Sequence, residues 1–186
     1  LNWLVFYGAD DAMVTPSIDF TATDEMSVFA GVRKLSDTTQ ATLVEMSANP
    51  GVNNGSISLA APGDPATPRY TVYARLSGAG EYAAASGFAA PTTNVVTALF
   101  DTTATTVNGL FNIRVDGAGQ TLVGKSPDPV VPQSLTAQPL YIGARGAASL
   151  YYNGNLYGLT VRSALTDGAT LSKAESLMAA KTGVTL

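Results

Sequence analysis

The residues best suited to chemistry form a short run of aromatic and amide side chains, Tyr151-Tyr152-Asn153-Gly154-Asn155, with Arg145 shortly before it. Tyrosine rings pack on the C–H faces of sugars, and asparagine amides pair donors with acceptors. The run is therefore a candidate carbohydrate contact, with Arg145 as a further candidate. The same residues fit a plainer arrangement, in which one tyrosine faces a core and Asn153-Gly154 is a hairpin turn. Tyr73 and Arg75 are weaker candidates, with solvated strand positions as the favoured alternative. Asp10 and Asp11, with Asp19 or Asp24, carry the hard oxygens that calcium takes. A calcium site needs six or more such oxygens, and adjacent aspartates commonly accept backbone N–H bonds in a turn. The expectation is no metal, with Asp10 and Asp11 as weak calcium candidates, and no cofactor.

What the 186 residues lack is as informative, for they contain no cysteine and no histidine. Disulfides, thiolate nucleophiles and thiolate metal sites are excluded, and so are Ser-His-Asp triads and histidine-ligated zinc. Only 13% of residues are charged while 46% are apolar, which argues against disorder, a coiled coil or a nucleic-acid-binding arm. The net charge of −4 gives no attraction for a polyanion, so no nucleic-acid partner is expected. No apolar run reaches the length of a membrane span, and no membrane insertion is expected. The length suits one domain, residues 1–186. Because the chain begins with Leu1 rather than methionine, it is expected to be a processed product or a fragment.

The elements that must position these residues are strands. Met26, Val28, Ala30 and Val32 alternate with Ser27, Phe29, Gly31 and Arg33. Tyr70, Val72, Ala74 and Leu76 alternate with Arg69, Thr71, Tyr73 and Arg75, and Phe111, Ile113 and Val115 alternate with Asn112, Arg114 and Asp116. Period-two patterns of this kind predict half-exposed antiparallel strands. Further runs at 3–7, 41–46, 56–60, 94–100, 140–144 and 155–162 bring the number to about nine or ten. Turn clusters begin at Asn49, Ala61, Ser77, Asp116, Ser126 and Tyr152. One helix is expected near the end, with Ser172 and Glu175 as a capping box and Gly183 as its stop, closing an edge or end of the sandwich. Together these predict an all-β antiparallel jelly-roll sandwich with one short C-terminal helix.

Residues 6–20, FYGADDAMVTPSIDF, resemble the opening strand and turn of laminin-G-like members of the concanavalin A-like lectin/glucanase superfamily. Tyr7 stands where that pattern has Asp. Residues 140–183 are similar to its ending, and residues 30–37, AGVRKLSD, resemble versions carried by tailed-bacteriophage virion proteins. The resemblance implies a non-enzymatic structural or adhesion module of a virion: a tail fibre, tail tip, head fibre or decoration domain. Such a module is assembled in the bacterial host cytoplasm and presents loops to host-surface polysaccharide or to other virion proteins. The alternative is a carbohydrate-binding module of a secreted or cell-surface bacterial protein. The superfamily's retaining hydrolases need two carboxylates about 5 Å apart. The four glutamates, Glu25, Glu45, Glu81 and Glu175, show no such spacing, so catalysis is not expected. Low charge and the two proline-rich loops, 61–69 and 126–134, favour contact with a neighbouring subunit, and a homo-oligomer such as a trimer is expected.

Overall fold

The computed structural model describes residues 2–47, 49, 51–77 and 79–186. The turn clusters from Asn49 and Ser77 thus lie partly outside the described residues, at Pro50 and Gly78. The strands, in chain order, are β1 (Leu4–Tyr7), β2 (Met13–Val14), β3 (Glu25–Lys34), β4 (Thr42–Met46), β5 (Ser56–Ala60) and β6 (Arg69–Arg75). They continue with β7 (Gly80–Ser86), β8 (Thr92–Asp101), β9 (Phe111–Val115), β10 (Ala118–Gly119), β11 (Leu140–Ile142) and β12 (Asn153–Arg162). They form two six-stranded antiparallel sheets, β1-β12-β3-β8-β9-β10 and β2-β11-β4-β5-β6-β7. The expected alternation holds for the inner faces: Met26, Val28, Ala30 and Val32 meet Val72, Ala74, Ile57 and Leu59 in one shared core.

The outer faces depart from expectation. Strand β3 is buried on both sides, because the C-terminal helix α2 (Gly168–Thr182) packs on the outside of β3, β8 and β12 rather than closing an end. Phe29, Val95, Met178 and Ala179 form a second, smaller core there. Gly183 is the left-handed stop, with φ 78°. The capping box does not form. The helix begins a turn earlier, after Asp167, so Ser172 lies inside it and Glu175 is turned onto the sheet, where it accepts from Thr97 and Arg114.

A one-turn helix, α1 (Val107–Leu110), was not legible, nor was β7, whose Ala83-Ala84-Ala85 hides its alternation. The loop 126–134 crosses between the sheets and sends Val130 into the core. The loop 61–69 folds over the outside of β6, where the Gly63 carbonyl accepts from the Tyr73 hydroxyl at 2.9 Å.

Candidate functional site

The structure separates the residues that the sequence placed together. Tyr152 is fully buried, its ring edge-on to Phe6 with centroids 6.0 Å apart, so no sugar can reach it. Its position dictates Gly154, where a Cβ would stand 2.6 Å from the Tyr152 hydroxyl and 2.1 Å from the Arg33 carbonyl oxygen. Asn153-Gly154 is not a hairpin turn either. Both residues open β12 and pair with Tyr7 and Phe6 of β1. Asn155 lies opposite Val5 and Arg33, in the sheet that carries α2. Tyr151 is half-buried in the loop before β12. Asp11 accepts the Tyr7 N–H at 2.7 Å, the turn arrangement, and among the described residues no three acidic side chains converge on a metal-sized site.

Arg145 belongs to the other sheet's side, three residues past the end of β11. It sits in a closed turn in which its N–H donates to the Ser149 carbonyl at 2.8 Å. Its Nε donates to Glu45 Oε2 at 3.3 Å. Glu45 points outward from β4, between the inward Val44 and Met46, yet it is fully buried beneath Arg145. Burial pushes its carboxyl up to about 7, although Arg145 pulls in the opposite direction.

Across the strands, Glu45 pairs with Ser58, Ser58 with Tyr73, and Tyr73 with Tyr82. The row therefore runs over the outer face of the second sheet, the face that α2 leaves uncovered. The Tyr73 and Tyr82 rings lie 6.3 Å apart at 36°, within the range of a favourable aromatic pair. Tyr82 is 40% exposed and Tyr73 is half-buried. Burial raises the Tyr73 phenol, and Arg69 and Arg145 oppose the shift. Tyr73 and Arg75 thus face outward as the alternation predicts, with Tyr73 part of an organised surface rather than a lone solvated position. Tyr82 was missed because β7 was missed. Its only signal is to lie opposite Tyr73, and that depends on register.

Two hollows flank the tyrosine pair. One, of about 270 Å³, is lined by Arg145, Gly51, Gly80 and Glu81 together with both tyrosines. The other, of about 240 Å³, is lined by Asp64, Arg69, Gly124 and both tyrosines.

No protein-family model and no curated protein sequence matches the chain. Solved structures do. A heptameric SAP-like pentraxin from Limulus polyphemus superposes over 94% of this chain and 80% of its own, with a TM-score of 0.62 and 9% identity. The CBM40 domain of Ruminococcus gnavus IT-sialidase, bound to α2,3-sialyllactose, superposes over 89% of this chain and 97% of its own, with a TM-score of 0.57 and 9% identity. Domains LG4-5 of the mouse laminin α1 chain match over 89% of this chain and 44% of their own, with a TM-score of 0.60 and 12% identity. The fold is a concanavalin A-like jelly roll. At these identities the jelly roll's neighbours establish architecture and nothing finer. None of the three is a virion protein.

Proposed function

We propose that the chain is a non-catalytic carbohydrate-binding module that takes its glycan on the outer face of the sheet β2-β11-β4-β5-β6-β7. The observation that carries this reading is the Tyr73–Tyr82 pair beside Arg145, on a sheet face that the helix leaves open. Aromatic faces supply apolar contact for sugar C–H groups, and a guanidinium already held by Glu45 is a donor whose orientation is fixed before binding. That the R. gnavus domain of the same architecture binds sialyllactose lends support. Glu45 is unsuited to catalysis on a bound glycan, because it is fully buried and turned toward Arg145.

The deciding experiment is a glycan array probed with the unmodified chain, Tyr82→Ala and Tyr151→Ala. Binding lost in Tyr82→Ala and kept in Tyr151→Ala is the expected pattern. The reverse pattern moves the site to the loop before β12, and an array without a hit removes the reading.

Placement in a virion rests on the resemblance of residues 30–37 and adds a setting rather than a different chemistry. Electron microscopy of the particle that carries the chain tests it. Several copies would raise avidity. We place self-association at the N-terminal edge, where β1 ends one sheet and β2 the other. Trp3, Leu4, Val5, Tyr7, Met13 and Val14 are all exposed there, and residues 1–9 carry no charge, so a second copy laid antiparallel meets no like charge. Sedimentation of Val5→Lys against the unmodified chain measures this: an oligomer reduced to monomer supports the placement, and equal masses refute it.

A further inference from the structure

We infer that the ligand is an oligosaccharide of at least two sugar units, held across the Tyr73–Tyr82 pair with one unit in each hollow. This inference rests on the carbohydrate-binding reading and specifies its substrate.

The first support is position. The two hollows share no lining residues except Tyr73 and Tyr82, so the aromatic pair is the ridge between them. On strands β6 and β7, the Arg145 hollow lies toward Ala74, Gly80 and Glu81, and the other lies toward Arg69. Gly80 borders the first hollow on open space, since a Cβ there would meet no atom within 4 Å. The second is bounded on one side by the proline-rich loop through Asp64, and on another by Gly124, in the segment that hydrogen-bonds along β7 through Val123 and Ala84.

The second support is chemistry. Each hollow carries an arginine already paired with a carboxylate, Arg145 with Glu45 on one side and Arg69 with Asp64 on the other. An arginine fixed in this way retains further N–H donors for hydroxyl oxygens. The exposed Asp64 carboxylate adds acceptors for hydroxyl protons in its hollow. Guanidinium donors at both ends of an aromatic ridge match a chain of pyranose rings, in which C–H faces alternate with hydroxyl rims.

The test is isothermal titration of the intact chain with gluco-, manno- and galacto-oligosaccharides of one, two and four units. At least one tetrasaccharide is expected to bind about 100-fold more tightly than its monosaccharide, since linking two subsites makes the second contact intramolecular. Arg145→Ala and Asp64→Ala, in opposite hollows, are each expected to remove most of that gain. Circular dichroism confirms folding of both variants. Equal affinity for one and four units, with binding still lost in Tyr82→Ala, overturns the two-hollow inference and leaves the carbohydrate-binding reading standing. No binding by any member of the panel overturns both.

Discussion

Gly31 and Gly158 face one another across β3 and β12, and both lie directly under helix α2. A Cβ at Gly31 would stand 2.7 Å from Thr182 Cγ2 and 3.4 Å from the Met178 carbonyl oxygen. At Gly158 it would stand 2.8 Å from Lys181 Cδ and 3.0 Å from Met178 Sδ. The pair forms a seat without side chains, and its depth sets how closely the helix approaches the sheet. The helix in turn covers that sheet's outer face and makes no such cover for the other sheet.

The two glycines differ in what they press against, and this predicts a ranking. Lys181 and Met178 offer the far ends of flexible side chains, so Gly158→Ala is expected to cost less than about 1 kcal/mol. Gly31→Ala meets a short, branched side chain and helix backbone, and is expected to cost about 2 kcal/mol through displacement of α2. Urea midpoints at unchanged m-value give both numbers. Equal losses, or a larger loss at Gly158, would show that the helix is not seated on this pair.

Glu175 fixes the same helix by a different means. It is 2% exposed and accepts from Arg114 Nε at 2.7 Å and Thr97 Oγ1 at 3.0 Å. Arg114→Ala leaves a buried carboxylate with one neutral donor and is expected to cost about 3 kcal/mol, whereas the double change Arg114→Met with Glu175→Met is expected to be nearly neutral. A double-mutant cycle in urea measures the coupling. A single change as mild as the double one would assign the docking to apolar contacts around Phe29 and Met178 alone.

How much of this was legible depends on whether a residue's surroundings are local. The inward halves of β3, β6 and β9 were readable because burial against the opposite sheet imposes period two on the sequence itself. The outer face of β3 was not, because Phe29 and Gly31 owe their burial to a helix more than 130 positions away. Glu175 satisfies a local capping pattern, yet Arg114 and Thr97 outcompete the helix end for its carboxylate. At the site, Arg145 and the outward Tyr73 were readable as polar positions, whereas Tyr82 and the buried Glu45 acquire meaning only through register. Tyr152 carried the right chemistry, but the glycine two residues on makes room for its ring inside.

Lys34 ends β3 on the inward side, fully buried, with Nζ 5.1 Å from the centre of the Tyr70 ring. Its ion pair with Asp37 spans 2.5 Å, and Asp37 Oδ2 accepts the Ala90 N–H at 2.6 Å. Burial lowers the Lys34 pKa against the opposing pull of Asp37. Asp37→Asn keeps an acceptor for Ala90 but strands the ammonium, at an expected cost of about 3 kcal/mol. Lys34→Met removes the desolvated charge and is expected to leave stability unchanged or raise it. Thermal unfolding at neutral pH separates the two, and a Lys34→Met protein as unstable as Asp37→Asn would show that the pair itself is stabilising.

Glu45 gives the molecule a dependence on pH whose sign follows from burial. Its carboxyl is raised from 4.5 to about 7 in the folded chain, so the folded state holds the proton more tightly than the unfolded state does. The resulting stabilisation is fully present below about pH 4.5 and is lost as pH rises through about 7, a change of up to about 3 kcal/mol from this one group. Glu45→Gln keeps an oxygen to accept from Arg145 Nε and removes the titration. Relative to the unmodified chain, this variant is therefore expected to gain stability between pH 5 and pH 8. Groups common to both proteins cancel when the difference between their urea midpoints is plotted against pH, so the slope of that plot isolates Glu45. A flat plot would mean that the carboxylate is ionised throughout, with Arg145 outweighing burial. In that case Arg145 would be neutralised by Glu45 at every working pH.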